Sequence, residues 1–134
     1  MVTVKHAENI LNDVPHGRQF IIHNGASVKN IKELGEAVSL MPENSFYYHV
    51  SNDRNDIAEW VRDTVGDWHL ADSIEKAESK KQMAQLITHR SDALSRSMSE
   101  HSLFPNPFMI SGANEFLIGI VVGVVIGMIL SVTL

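Results

Sequence analysis

The residues with the clearest chemical potential surround a polar turn at 51–55. His49 precedes this turn, Asp53 lies within it and Asp56 follows it. Imidazole and carboxylate groups together can ligate a divalent metal ion or form an acid–base pair. His49 and Asp56 are therefore candidates for a metal site or for catalysis, with His69 as a more distant member of the set.

A structural interpretation of the same residues is favoured over a catalytic one. Asn55 and Asp56 occur where the N-cap of the next helix is expected, and a side-chain cap contributes about 1 kcal/mol, which alone explains them. His49, one turn after Phe46, is then a half-buried histidine that bonds to the cap or to the backbone. No metal ion or other cofactor is predicted, and no enzymatic activity is expected.

Other function classes lack support in the sequence. The chain has no cysteine, which excludes disulfides, thiolate zinc sites and a cysteine nucleophile. Its histidines form no HxH, HExxH or His-x₃-His pair, and no GxGxxG, P-loop or GxSxG motif occurs. The formal net charge of −5 argues against nucleic acid as a partner.

The periodicity of residues 1–94 predicts a soluble, mainly α domain, a small helical bundle with one short β-hairpin at about 19–28. The hairpin prediction rests on RQFIIH, then Asn24-Gly25 as a type I′ turn, then ASV. Capping boxes predict helix starts at Asn30, Asp56 and Ser79. Gly66 is predicted to end the helix that begins at Asp56.

Aromatic residues divide into core and surface candidates. Trp60 and Trp68 are predicted to be large core side chains of the bundle. Tyr47 and Tyr48 lie on a short predicted helix and point outward, so they are candidates for a partner-binding surface together with His49 and Asp56.

The order of several short motifs resembles a known domain family. The motifs are FIIHNG, VKNIKEL, FYYHV, NDIAEWV and GDWHLA, within about residues 18–90. They are similar to an uncharacterised family, mainly archaeal and also found in some bacteria, with a strand, Asp/Asn-Gly, a capped helix, Phe-x-x-His and Asn-Asp-x-Ala-x-Trp. The resemblance implies a domain boundary and a mostly helical fold, but no activity.

The C-terminal part has a different composition. Residues 95–114 are rich in serine and contain Pro105 and Pro107, so a flexible tether is predicted. Residues 116–134 are uncharged and would span roughly 28 Å as a helix, close to the ~30 Å hydrocarbon core. A single C-terminal transmembrane anchor is therefore predicted at 115–134, with the lipid bilayer as a partner.

Small residues recur at every fourth position of this anchor and form one stripe on a helix. Such a stripe lets two helix backbones approach closely, which favours a homo-oligomer or pairing with a partner transmembrane helix. The stripe consists of Gly119, Gly123, Gly127 and Ser131.

These features together predict a tail-anchored, single-pass membrane adaptor or scaffold whose soluble domain binds a protein partner. The first residues lack the apolar core of a secretory signal, so the N-terminal domain is expected to be cytoplasmic. One alternative is an accessory subunit of a larger membrane complex. Another is a small membrane-bound metal-binding protein or enzyme that uses His49 and Asp56.

Overall fold

The computed structural model describes residues 3–103 of the chain, and the chain up to Glu100 forms one compact unit. Within the described residues, helices are interrupted by two short antiparallel hairpins. The helices are α1 (Val4–Leu11), α2 (Ile31–Leu40), α3 (Glu43–His49), α4 (Asp56–Trp60), α5 (Trp68–Glu75) and α6 (Lys80–Leu103). The predicted mainly helical fold with a short β-hairpin is confirmed.

The first hairpin pairs β1 (Phe20–Ile21) with β2 (Ser27–Val28). Its loop is not the predicted type I′ turn, which requires positive φ at both central residues. Gly25 has a φ of 91°, whereas Asn24 does not have a positive φ. The Gly25 N–H donates to the carbonyl of Ile22 at 2.7 Å. The loop is therefore a type I turn followed by a left-handed glycine, the usual three-residue hairpin loop.

The turn predicted at 51–55 is a second hairpin. Here β3 (Val50–Ser51) pairs with β4 (Arg54–Asn55), and Asn52 and Asp53 form the tip. Two residues per strand give too short an alternation of apolar and polar side chains for prediction from sequence. The hairpin places both residues of β4, Arg54 and Asn55, directly before the first residue of α4.

The N-caps of two predicted capping boxes are confirmed, whereas the return bonds of Glu33 and Gln82 go to the N–H groups of Lys29 and Glu78, one residue before each cap. Asn30 Oδ1 accepts from the Glu33 N–H at 2.9 Å at the start of α2. Ser79 Oγ accepts from the Gln82 N–H at 3.2 Å at the start of α6. Each cap satisfies a backbone donor that has no partner within its helix.

The cap of α4 differs from the predicted one. Asn55 Oδ1 accepts from the Ala58 N–H at 3.0 Å, and Asp56 is the first helical residue. Asp56 does not cap the helix because its carboxylate bonds to His49 and Arg54. The neighbouring asparagine supplies the cap instead.

The predicted helix from Asp56 to Val65 changes its geometry after Trp60. The following segment, Val61–Val65, is π-helical, a rare geometry that widens the helical turn. Gly66 then adopts a φ of 85°, and its N–H donates to the carbonyl of Val61 at 2.9 Å. The left-handed conformation, which glycine adopts readily, ends the segment as predicted and turns the chain towards α5.

One apolar core lies between the helices. Trp60 is 9% exposed and packs against Phe20 with a ring-centroid distance of 5.9 Å, as predicted for a core side chain. Trp68 is 55% exposed, so its predicted core position is wrong. It is the first residue of α5, before the buried face of that helix begins, and its ring stacks on His69. The largest fully buried hydrophobic side chains include Ile10, Ile31, Leu34, Ile57, Ile74, Met83 and Ile87.

A buried ion pair joins α5 to α6. Asp67, at the start of α5, is 1% exposed, and Arg90 of α6 approaches it with two donors. Arg90 Nε lies 2.7 Å from Oδ2, and Nη2 lies 3.2 Å from Oδ1. Oδ1 also accepts from the Leu70 N–H at 3.2 Å. Both carboxylate oxygens are therefore satisfied in a bidentate arrangement, which offsets the cost of burying the charge.

Helix α6 contradicts the first part of the predicted flexible tether, because residues 95–103 are helical. The serines there are compatible with a helix since their hydroxyls can bond to the preceding turn. Ser95 Oγ, for example, donates to the Ser91 carbonyl at 2.9 Å. Met98 adds packing against the core. Pro105, which disfavours helix, occurs only after this segment in the sequence.

The rest of the predicted tether and the predicted anchor at 115–134 lie outside the described residues. Between residues 3 and 103, no helix combines the length and the apolar character needed to cross a bilayer.

Removing the cation of the buried pair tests its contribution to stability. We expect Arg90→Met to lower the free energy of unfolding by about 3 kcal/mol, because Asp67 would stay buried without its charge partner. Arg96→Met on the same helix is the control, since Arg96 is exposed and its guanidinium donates to the Asp92 carbonyl of its own helix. The control should change stability by less than about 0.5 kcal/mol. Urea unfolding followed by tryptophan fluorescence measures both, and equal losses would contradict this role of Arg90.

Candidate functional site

His49 is the central residue of the candidate site. It ends α3, its side chain is 5% exposed, and both ring nitrogens have partners. Nε2 accepts a hydrogen bond of 2.9 Å from the backbone N–H of His23, in the loop of the first hairpin. Nδ1 lies 3.1 Å from Oδ2 of Asp56, at the start of α4. The imidazole thus connects α3 to the start of α4, seven residues away, and to the loop of the first hairpin, 26 residues away.

These two bonds assign the protonation state of the ring. Because Nε2 of His49 accepts from a backbone N–H, it carries no proton, and the proton lies on Nδ1, which donates to Asp56. Metal coordination through Nε2 would leave the N–H of His23 without a partner, and coordination through Nδ1 would displace the carboxylate. In this arrangement the ring has no free lone pair for a metal ion or for a substrate proton.

Asp56 extends the network to the second hairpin. Its Oδ1 lies 2.9 Å from Nε of Arg54, so the two carboxylate oxygens have different partners, a histidine and an arginine. The Arg54 guanidinium also donates to the backbone carbonyl of Tyr48 and lies 5.3 Å from the centre of the Tyr48 ring. The charge of the carboxylate is therefore balanced locally by a cation.

Aromatic rings surround the imidazole and hold it in place. Phe20 of β1 packs against His49 with a centroid distance of 4.9 Å, and Tyr48 meets it edge-on at 5.1 Å. The ring of His23 stacks on Tyr48 at 4.0 Å. Trp60 packs against Phe20, and its Nε1 donates to the backbone carbonyl of Arg18, just before β1, at 2.8 Å.

Two tyrosines stand on the outer side of this network, as predicted. Tyr47 is 65% exposed and Tyr48 is 51% exposed. Tyr47 packs edge-on against Phe46 at 5.5 Å, and Tyr48 lies between His23 and the Arg54 guanidinium. We call Tyr47, Tyr48, His23 and Arg54 the aromatic surface. Each of its tyrosines has one buried ring partner, Phe46 for Tyr47 and His49 for Tyr48, and remains open to solvent.

Other residues considered from the sequence do not join this network. Asp53 lies at the exposed tip of the second hairpin. His69 is exposed and stacks on Trp68 at 3.5 Å. Within residues 3–103 no group of three or more His, Cys, Asp or Glu side chains is arranged to hold a metal ion. The stripe of Gly119, Gly123, Gly127 and Ser131 lies outside the described residues.

The two partners of the network that sequence reasoning missed are His23 and Arg54. Both lie in hairpins, and His23 is 26 residues away from the imidazole that it contacts. The only sequence signal for His23 is its position beside the Asn-Gly turn, and the signal for Arg54 is its nearness to Asp56. Neither signal specifies the partner, because the contacts depend on how the hairpins pack.

A second set of ion pairs lies on the surface near the second hairpin. Arg62 Nη2 is 2.9 Å from Oε1 of Glu75 and 3.2 Å from Oδ1 of Asp72. Hydrogen bonding to Glu75, and then to Asp72, raises the pKa of the Arg62 guanidinium above its ordinary value. The guanidinium thus holds both carboxylates of α5 in place.

Comparison of the chain with known protein families, with curated proteins and with solved structures finds no match. The resemblance to a mainly archaeal domain family therefore stays a prediction.

Replacing the central imidazole separates a structural role from metal binding. We expect His49→Ala to lower the free energy of unfolding by about 2–4 kcal/mol, because it opens a space and leaves the His23 N–H without its acceptor. The zinc uptake of the protein, measured by titration calorimetry, should not change. His89→Ala, at an exposed position of α6, is the control and should alter stability by about 0.5 kcal/mol or less. Loss of zinc binding in His49→Ala alone would contradict the structural role.

Proposed function

We propose that this protein is a membrane-anchored adaptor whose helical domain binds a protein partner through the aromatic surface. The observation that carries this proposal is the exposure of Tyr47 and Tyr48, whose rings pack edge-on against the buried Phe46 and the buried His49, respectively. Tyrosine and arginine are over-represented among residues that dominate binding at protein interfaces. The proposal accounts for two large aromatic side chains that are open to solvent.

The rigidity of the surface supports this use. Ordering a free side chain on binding costs roughly 0.5–1.5 kcal/mol, which weakens an interface. The Tyr48 ring already stacks on the His23 ring and lies near the Arg54 guanidinium. The hydrogen bond that His49 accepts from the His23 N–H fixes the position of α3. A partner would therefore meet a surface that loses little freedom on binding.

The anchor is proposed from the sequence. Residues 116–134 contain no charged side chain and are long enough to span the hydrocarbon core as a helix. The stripe of Gly119, Gly123, Gly127 and Ser131 gives this helix a face suited to close packing against a second helix. Self-association would place several aromatic surfaces side by side, so weak individual contacts would add up.

Two alternatives assign the main function to other residues than the aromatic surface. In an accessory subunit of a larger membrane complex, the glycine stripe would pack on a partner helix and the soluble domain would be secondary. In a metal-binding protein or enzyme, His49 and Asp56 would carry the function. The occupied ring nitrogens of His49 argue against this second alternative.

Truncation after Asn114 distinguishes the adaptor from the accessory subunit. We expect the full chain to sediment with membranes and the truncated chain to stay in the supernatant, because it lacks the apolar segment. A partner cross-linked to the full chain should still be cross-linked to the truncated chain. The control is a chain in which 116–134 is replaced by an unrelated membrane helix without small residues. Membrane attachment of the truncated chain would refute the anchor, and loss of the partner would favour the accessory subunit.

A bulky residue in the glycine stripe tests self-association. We expect Gly123→Ile to abolish dimers in mild detergent, because the side chain would keep two helix backbones apart. Val121→Ile is the control, since it places the same isoleucine side chain at a position off the stripe. Analytical ultracentrifugation in detergent measures both variants. An unchanged dimer in Gly123→Ile would remove the stripe from the proposal.

A further inference from the structure

A polar groove of about 470 Å³ lies beside the aromatic surface. Its walls come from α3, from the second hairpin and from the turn between α5 and α6. The charged and aromatic side chains that line it are Phe46, Tyr47, Asp53, Arg54, Glu75 and Glu78. The groove therefore brings together residues that are up to about thirty positions apart in the sequence, and most of their charge is negative.

The positive charge in the groove is already used by the protein. Arg54 contributes to the lining, but its guanidinium bonds to Asp56 and to the carbonyl of Tyr48. Glu75 is likewise paired, with Arg62. The groove thus holds one paired cation and one paired carboxylate. Its net charge is therefore set by the remaining acidic side chains.

Two carboxylates of the groove are without a cation. Asp53 and Glu78 are exposed, and neither has an ion-pair partner among residues 3–103. They belong to different elements, the tip of the second hairpin and the turn before α6. A ligand that lies along the groove would meet negative charge contributed by both walls.

Tyr47 supplies an aromatic face on the α3 side of the same groove. Its ring is fixed edge-on against Phe46 at 5.5 Å while 65% of the residue stays exposed. The face of an aromatic ring attracts an ammonium or guanidinium group. Carboxylates together with an open tyrosine ring form a lining that favours cationic side chains over anionic or purely apolar ones.

We propose that the groove binds a lysine- or arginine-bearing segment of a partner protein. The inference rests on the proposed adaptor function and specifies the chemistry of the partner. The cationic side chains of the segment pair with Asp53 and Glu78, and one of them lies over the ring of Tyr47. Charge complementarity therefore identifies the occupant.

The charge of the chain itself makes its own C-terminal part a poor occupant. No lysine or arginine follows Arg96 in the sequence, and Glu115 is the only acidic residue after Glu100. That part therefore cannot supply lysine or arginine side chains to pair with Asp53 and Glu78. A second copy of the chain does carry exposed lysines, and the test below includes it as an outcome.

The test uses the full chain in detergent micelles and a short fluorescein-labelled peptide that alternates glycine with lysine and arginine. The double variant Asp53→Asn, Glu78→Gln should weaken peptide binding about 3- to 10-fold at an ionic strength of about 0.1 M, as expected for two exposed ion pairs. Tyr47→Leu should weaken it about 2- to 5-fold through loss of the aromatic face. Fluorescence anisotropy measures the affinities.

The matched control is the double variant Asp92→Asn, Glu36→Gln, which removes the same charge from exposed positions outside the groove. It should leave affinity within about twofold, because neither side chain lines the groove and exposed charges without direct contact are screened at this ionic strength. Equal weakening by both double variants would show unspecific attraction and overturn the inference. So would wild-type protein that binds the peptide no better than a matched glutamate peptide.

Two further outcomes separate this inference from the adaptor function. If the groove variant no longer self-associates and the wild-type protein does not bind the peptide, the groove is occupied by a second copy of the chain. The assignment of a partner segment is then wrong. If the groove variant is still cross-linked to the partner and the wild-type protein does not bind the peptide, the adaptor function stands and only the groove assignment fails. If the full chain binds the peptide but does not associate with membranes, only the proposed anchor is refuted.

Discussion

The arrangement of the N-terminal half depends on one buried imidazole. A buried polar group must find partners, because leaving a donor or acceptor without one costs about 1–3 kcal/mol. His49 meets this requirement only if the first hairpin presents the His23 N–H and the start of α4 presents the Asp56 carboxylate. The ring therefore restricts where two hairpins and two helices can lie. Phe20 packing against the same ring makes this polar contact part of the apolar core.

The C-terminal half has an equivalent constraint in the pair of Asp67 and Arg90. This pair fixes the start of α5 against the middle of α6, just as His49 fixes α3 against α4. Lys80 adds a smaller link, because its ammonium bonds to the carbonyl of Met41 and to Glu43. Apolar burial supplies most of the free energy of folding, while these polar contacts are satisfied in only one arrangement of the elements.

Local features of this fold were readable from the sequence, and long-range ones were not. Asn30 and Ser79 cap helices because cap chemistry involves residues within one turn, and Gly66 ends a segment for a similarly local reason. The backbone N–H that bonds to the imidazole is 26 residues away, and the arginine partner of Asp67 is 23 residues away. Apolar periodicity indicates which helix faces are buried but not which polar groups meet. The predicted core position of Trp68 was wrong for a related reason, because hydrophobicity alone does not show that this residue precedes the buried face of α5.

The same constraint connects fold and proposed function. In the proposed adaptor, Tyr47 and Tyr48 are useful because α3 cannot shift without breaking the bonds of His49, so their rings keep their positions before a partner arrives. A small domain that offers a few fixed side chains makes contacts of modest strength. Confinement to a membrane and association of several copies raise the effective concentration of such contacts. A cationic partner segment would gain in the same way, since exposed ion pairs are individually weak and become sufficient only when several form together.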